Sequence, residues 1–264
     1  ELFSIPYTLE LHRIFSQEKK FIKKINSLID IDNLNLFKLF TISESIKTSL
    51  QPILNKNIVA QNFDPVLYPF NLQDSFSINK YDFFNRLEFG GRYLPNCGNI
   101  VLYIGQPYSD RGILESLPMI TNVSELLIVI VGISSNDIDK LRDRLYPIYK
   151  NLFLADFIKP NICYQLVNKA DGLLIPYSSS LVTVDFAYPT KATEYMSTCK
   201  PIFSSDLNIL RSCFGSRAIY FKADNYDSLS IILNNYYNLN QTKKQWENYK
   251  FPNWDHRANQ ILNL

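Results

Sequence analysis

From residue 100 onward, short apolar runs alternate with segments whose apolar residues recur at helical spacing. The runs are almost free of polar residues, which is typical of strands buried on both faces of a parallel sheet. The pattern predicts strands at 100–104, 126–131, 152–157, 172–175, 201–204 and 219–221, and helices at 112–117, 137–145, 162–169, 190–198 and 226–239. This alternation indicates an α/β fold with a doubly wound parallel, Rossmann-like sheet.

The first part of the chain has a less regular pattern. A helix is predicted within residues 15–40, with lysines on one face and an apolar stripe on the other. Residues 39–42 predict a buried strand, and Ser43 is a capping residue before a further helix. Between 55 and 99, proline and glycine interrupt the pattern, and a domain boundary is predicted near residue 93.

Composition excludes several classes of protein. The chain is 46% hydrophobic and 20% charged, as in an ordinary globular protein, and its 27 basic and 25 acidic residues leave a net charge of only +2. Such a balance does not indicate a nucleic-acid-binding surface, so no nucleic acid partner is expected. The apolar run 126–131 is far shorter than the roughly 20 residues of a membrane-spanning helix. A cytoplasmic location is predicted.

The cysteines and the first residue add two expectations. Cys97, Cys163, Cys199 and Cys213 are widely spaced, which argues against a zinc cluster or a redox pair and favours reduced thiols. No metal site is predicted. The sequence starts at Glu1 rather than at Met, which suggests that an upstream segment has been removed or omitted.

The first candidate binding motif follows the strand at 100–104. Gly105 allows the backbone to approach a ligand closely, and Arg111 precedes a helix start, where unpaired N–H groups favour anions. A guanidinium can bind two phosphate oxygens at once. The motif is therefore a candidate phosphate site, although a purely structural glycine turn explains the same residues.

The second candidate is the segment 188–196. Pro189 stiffens the approach to a helix whose first turn presents the amides of Thr190 and Lys191, and Glu194 lies one turn further on. A diphosphate could bind the amides while the Glu194 carboxylate accepts hydrogen bonds from a ribose. The alternative is a solvated helix in which Glu194 merely complements the helix dipole.

These motifs resemble glycosyltransferase family 4, whose members have the GT-B fold of two Rossmann-like domains. Residues 104–112 resemble the family's strand, Gly-Arg turn and Lys-Gly, and residues 170–178 its Ala-Asp, apolar strand and Pro-Ser segment. Residues 188–196, with Lys200 and Pro201, resemble a branch that reads Ser-Pro-x-Lys-x-x-Glu-Tyr-Met and then Gly-Lys-Pro. Shorter similarities at 9–12, 41–45 and 253–258 extend the resemblance over nearly the whole chain, apart from residues 55–98.

The resemblance implies a role for each candidate residue. Arg111 would neutralise the donor diphosphate beside the Gly105–Gln106 turn, Glu194 would bind the ribose, and Thr190 and Lys191 would contact phosphate through their backbones after Pro189. The base would lie against the loop that contains Phe157 and Ile158, and His12 would face the transferred sugar. A lone histidine after an apolar segment is equally well explained as a structural residue.

The resemblance also implies a domain plan and a reaction. Residues 1–93 would be a partial acceptor-side domain, 94–240 the nucleotide-sugar domain, and 241–264 a helix returning toward the first domain. The expected reaction is transfer of a hexose, with retention and without a metal or other cofactor, from a UDP- or GDP-linked sugar to a glycan or lipid-linked acceptor. Peripheral contact with a membrane stays open.

Two substitutions and the start of the chain depart from the family pattern. Gln106 replaces an arginine, Phe186 stands at the first of two glutamates, and the chain begins almost at the Glu10-x-His12 motif. Two alternatives to a transferase therefore stay open. One is a nucleotide-sugar-binding module without catalysis, and the other is a sugar-nucleotide epimerase of the same architecture.

Overall fold

The computed structural model describes residues 7–11, 19–32, 36–41, 44–54, 57–60, 78–180, 189–198 and 200–238. The chain divides into two compact units, one of residues 1–67, 183–193 and 251–264 and the other of residues 68–182 and 194–250. Each unit is described separately. The predicted domain limits at 93 and 240 remain predictions.

The first unit contains a three-stranded parallel sheet. Its strands, in the order β1-β2-β3, are β1 (Tyr7–Leu11), β2 (Leu36–Thr41) and β3 (Ile58–Ala60). Helix α1 (Lys19–Asp32) connects the first two strands, and α2 (Glu44–Leu50) connects the last two, as parallel pairing requires. Leu39, Phe40 and Ile46 are buried.

The sequence prediction for this unit was correct only in part. The helix predicted within 15–40 ends at Asp32, and strand β2 occupies the end of that segment. Strands β1 and β3 were not predicted, because they are short and lack a long apolar run.

The second unit is built on a six-stranded, all-parallel sheet in the order β6-β5-β4-β7-β8-β9. Its strands are β4 (Asn99–Ile104), β5 (Leu126–Ile133), β6 (Leu152–Asp156), β7 (Gly172–Ile175), β8 (Ile202–Ser205) and β9 (Ala218–Phe221). Its helices are α3 (Lys80–Phe84), α4 (Ile113–Ile120), α5 (Ile138–Leu145), α6 (Pro160–Lys169), α8 (Asn208–Phe214) and α9 (Tyr226–Asn238). The boundary between the two units falls within helix α7 (Thr190–Met196).

This sheet confirms the predicted fold class. All eight residues of β5 are buried, as are the four of β7 and of β8, so these strands are covered on both faces. Each predicted strand of this unit is present within a few residues of its expected position. Helices α3 and α8 were not predicted. None of the helices in the described part of the chain is long and apolar enough to cross a bilayer.

Candidate functional site

The strand order fixes where a ligand could bind the large sheet. β4 and β7 are neighbours, yet the chain continues from β4 toward β5 on one side and from β7 toward β8 on the other. Where the strand order reverses in this way, such folds characteristically bind their ligands in a crevice at the carboxyl edge of the sheet. The predicted phosphate motif, residues 105–112, is the loop that follows β4.

Two glycines allow close backbone packing at this edge. Gly105 has φ 129° and donates its N–H to the carbonyl of Val131 at 2.8 Å. Gly132, at φ 97° on the neighbouring strand, faces it, and a Cβ on Gly132 would lie 3.3 Å from the Gly105 nitrogen. Side chains are disfavoured at both positions, since such φ values are accessible mainly to glycine.

Gln106 connects the loops that follow β4 and β5. Its side-chain oxygen accepts a hydrogen bond from the Ser134 N–H at 3.3 Å, and its carbonyl accepts one from the Tyr103 hydroxyl at 3.1 Å. The residue also lines an open pocket of about 370 Å³ with Lys140 and Arg144. Gln106 therefore holds the loop together at the position where the family resemblance led us to expect an arginine.

Arg111 lies at the end of a short 3₁₀ turn, Ser109–Arg111, directly before α4. Its guanidinium carbon is 4.7 Å from the centre of the Tyr177 ring, and its Nε is 3.7 Å from Oδ1 of Asp110. Burial raises the pKa of Tyr177, and the charge and hydrogen bond of Arg111 oppose part of that rise. Arg111 is thus fixed against the first residues after β7, at the crevice.

Gly112 allows this contact between the two loops. It has φ 66° and precedes the first residue of α4. A Cβ at this position would lie 1.9 Å from the carbonyl oxygen of Pro176 and 2.6 Å from the hydroxyl of Tyr226. A side chain at residue 112 would therefore separate the loop after β4 from the loop after β7.

Tyr195 attaches α7 to the same edge of the sheet. The pairing of β4 with β7 ends at Leu102 and Leu173, and beyond it the Ile104 N–H donates to the Tyr195 hydroxyl at 3.1 Å. The hydroxyl therefore takes the place of a strand carbonyl. Burial raises the pKa of Tyr195 well above its ordinary value, as expected for a phenol fully enclosed in the sheet.

Glu194 directly precedes Tyr195 and lies beside α6. Burial raises the pKa of Cys163 to about 12, and the negative charge of Glu194 adds to the rise. Ser197 donates to the Glu194 carbonyl at 2.6 Å and lies 3.0 Å from the Tyr164 hydroxyl, which must donate to it in turn. The backbone around Glu194 is thus held by two contacts: Tyr195 bonds to β4, and Ser197 bonds to Tyr164 of α6.

Arg111 and Glu194 both adjoin a group of three buried tyrosines, which we call the tyrosine trio. The trio consists of Tyr103, Tyr177 and Tyr195. Besides burial, Tyr177 helps to raise the pKa of Tyr103, and both of these phenols help to raise the pKa of Tyr195, so the three lie close together. Arg111 contacts Tyr177, and Glu194 precedes Tyr195 and influences its pKa. Sequence reasoning gave the trio no role. The available signal was a tyrosine at or just after the end of two adjacent strands.

The other predicted residues have different outcomes. α7 begins at Thr190, and the Ala192 N–H donates to the Pro189 carbonyl at 2.8 Å, so the predicted helix start is present, with Lys191 in its first turn. Phe157 is 63% exposed just after β6, and Ile158 is half-buried. The strand ends at Asp156, one residue earlier than predicted. His12 and Phe186 lie outside the residues that the structure describes.

Comparison with solved structures shows that this architecture resembles that of glycosyltransferases with the GT-B fold. No family model matches the sequence, and no curated protein has significant sequence similarity to it. HepE from Anabaena, solved in complex with UDP-glucose, superposes with a TM-score of 0.59 at 13% identity, over 90% of this chain and 64% of HepE.

Two further solved structures have a similar fold. A glycosyltransferase from Rickettsia africae gives a TM-score of 0.61 at 13% identity, over 89% of this chain and 62% of its own. Sucrose-phosphate synthase from Thermosynechococcus elongatus gives a TM-score of 0.57 at 13% identity, over 88% of this chain and 58% of the synthase. This chain therefore spans about three fifths of the length of these proteins. At such low identity the likeness establishes the fold.

Proposed function

We propose that this chain binds a UDP- or GDP-linked sugar at the crevice between β4 and β7 and transfers the hexose to a glycan or lipid-linked acceptor. The observation that supports the proposal is the tyrosine trio near the strand-order reversal: a cation, Arg111, contacts one of its members, and a carboxylate, Glu194, precedes another. A diphosphate needs the first group, and a ribose diol is bound well by the second.

The reaction follows from the charges that develop during transfer. As the bond between the anomeric carbon and the diphosphate breaks, negative charge accumulates on the leaving phosphate, and Arg111 would stabilise it. The contact with the Tyr177 ring restrains the guanidinium before the reaction, so little further ordering of this side chain would be required in the transition state.

The remaining roles extend this arrangement. Glu194 would hold the ribose, Phe157 and Ile158 would lie against the base, and the first turn of α7 would contact phosphate through backbone amides. His12 would position the sugar. Departure and attack on the same face would retain the anomeric configuration, with the cationic side chain in place of a metal ion. The proposed location is cytoplasmic, with peripheral membrane contact if the acceptor is lipid-linked.

The solved structures with this fold support the choice of donor. HepE has been crystallised with UDP-glucose, with UDP, and with UDP and glucose. Another structure of this fold, WaaG, is a glycosyltransferase involved in lipopolysaccharide biosynthesis, at 14% identity and a TM-score of 0.53. A nucleotide-sugar donor and a polysaccharide or lipid-linked acceptor are therefore the first substrates to test.

The proposal is tested by binding and turnover with UDP-glucose and with GDP-mannose. We expect calorimetry to detect binding of one of these two donors. We expect proton NMR to show that the initially formed product, or the initially released sugar if the donor is hydrolysed, has the same anomeric configuration as the donor. Activity should survive EDTA. Binding without transfer or hydrolysis would instead favour the binding module, and isomerised donor in the absence of acceptor would favour the epimerase.

Replacing Arg111 should weaken donor binding. In Arg111→Gln, we expect the binding free energy of the donor to fall by about 1.5–3 kcal/mol, the scale of a hydrogen bond to a charged group. Arg86→Gln is the matched control, because Arg86 influences the pKa of Lys169 at the opposite, amino edge of the sheet. Equal donor affinity in the two variants would argue against Arg111 as a diphosphate ligand.

A further inference from the structure

We propose that Asp110 opposes anions bound at Arg111 and thereby favours release of the nucleoside diphosphate product over retention of it. This role rests on the proposed function, since it assumes that a diphosphate binds beside Arg111. It concerns a residue to which neither the sequence motifs nor the fold assigns a part in the reaction.

The first observation is an ion pair with poor geometry. Oδ1 of Asp110 is buried, and no residue in the described part of the chain donates a hydrogen bond to it. The Arg111 Nε, at 3.7 Å, is beyond hydrogen-bonding distance. The two side chains are only 39% and 30% exposed, so water screens their charges incompletely. Only the charge of Arg111, without a hydrogen bond from any described residue, therefore offsets the negative charge at Oδ1.

The second observation is that the carboxylate is attached to a restrained backbone. The Asp110 carbonyl accepts a hydrogen bond from the Ser178 N–H at 3.2 Å. Two residues later, Gly112 packs directly against the Pro176 carbonyl. The loop that carries Asp110 is therefore held against the loop that follows β7, and the carboxylate cannot easily leave the neighbourhood of Arg111.

These two observations have an electrostatic consequence. A phosphate group bound to Arg111 would lie within a few ångströms of the Asp110 carboxylate, and like charges at that separation repel. A nucleoside diphosphate has a terminal phosphate whose second pKa is about 6, so near neutral pH it carries about one more negative charge than the corresponding nucleotide sugar. Asp110 should therefore weaken binding of the product more than binding of the donor.

The experiment compares ligands of increasing charge on matched variants. Dissociation constants for uridine, UDP-glucose and UDP are measured by calorimetry on the wild type, Asp110→Asn and Asp110→Ser, with guanosine, GDP-mannose and GDP in parallel. Asp139→Asn is the control, because it removes the same charge from an 83% exposed carboxylate that pairs with Arg142. Melting temperatures establish that each variant is folded.

We expect both Asp110 variants to bind the nucleoside diphosphate about two- to fivefold more tightly, the range for removing one partly exposed charge. The nucleotide sugar should gain less, the nucleoside should not change, and Asp139→Asn should match the wild type. A merely structural role for Asp110 predicts weaker binding of all three ligands.

Two different failures can be distinguished. If the wild type binds a nucleoside diphosphate but neither folded Asp110 variant binds it more tightly, the role of Asp110 is wrong and the proposed function stands. If the wild type binds neither UDP nor GDP, the proposed function is wrong and the role of Asp110 is wrong with it.

Discussion

The two edges of the six-stranded sheet each contain a cation beside a carboxylate, and the two pairs are built differently. At the amino edge, the Lys80 Nζ lies 2.6 Å from Oδ2 of Asp171, and the same oxygen accepts the Ile100 N–H at 2.8 Å. Burial alone would lower the pKa of Lys80, but the hydrogen bonds and charges of Asp171 and, to a smaller extent, Tyr81 together outweigh burial and raise it. This pair satisfies its own hydrogen-bonding groups and joins α3 to β4 and β7.

At the carboxyl edge, the corresponding pair is incomplete. Arg111 and Asp110 are 3.7 Å apart, and Oδ1 of Asp110 is buried without a hydrogen bond from any residue that the structure describes. A satisfied pair stabilises a fold, whereas an imperfectly matched one costs stability and persists at sites that bind a ligand. The difference agrees with the proposal that the amino edge maintains the fold and that the carboxyl edge binds the ligand.

The largest expected effect concerns the turn at the carboxyl edge. Gly112→Ala would place a Cβ 1.9 Å from the Pro176 carbonyl oxygen, at φ 66°. We expect the free energy of unfolding to fall by about 3–5 kcal/mol, the range for severe steric strain. Gly91→Ala is the control: its φ is 82°, but its added Cβ would meet no atom within 4 Å, so only about 1–2 kcal/mol should be lost. Equal losses in urea titrations would contradict the packing argument.

The next effect concerns the pair at the amino edge. Asp171→Ala removes the acceptor of both Lys80 and the Ile100 N–H, so the free energy of unfolding should fall by about 2–3 kcal/mol. Donor affinity measured on the folded fraction should not change, because the pair lies at the edge opposite the crevice. A weaker donor affinity with unchanged stability would reverse the proposed roles of the two edges.

The smallest expected effect tests the position of Glu194. Glu194→Gln replaces hydrogen bonds to a charged group with neutral ones, so donor affinity should fall by about 1 kcal/mol. Since the charge of Glu194 helps to raise the pKa of Cys163, its removal should lower that pKa and increase the fraction of thiolate at a fixed alkaline pH.

Thiol alkylation measures this change in a background where the other three cysteines are serine. The alkylation rate of Cys163 should increase in Glu194→Gln, although burial, the larger cause of the shift, remains. Glu115→Gln is the control, since Glu115 lies on α4 rather than beside α6. An unchanged rate in Glu194→Gln would mean that the carboxylate does not lie beside α6.

The large sheet could be predicted because its signals are local. Strands such as β5 are apolar throughout, and the helices between them have their own periodicity, so short windows of sequence contain the information. Gly112 could be read as a helix start for the same reason. Strands β1 and β3 were missed, because a few residues of mixed polarity do not distinguish a strand from a loop.

The sequence by itself determined a parallel α/β sheet, with a glycine turn and the helix that contains Glu194 as candidate ligand-binding elements. Only the tertiary structure decided that Gln106 bridges two loops, that Tyr195 accepts a hydrogen bond from the end of β4, and that no described residue donates to Oδ1 of Asp110. The physical reason is separation along the chain. Ile104 and Tyr195 are 91 residues apart, and their hydrogen bond exists only because the folded sheet brings them together.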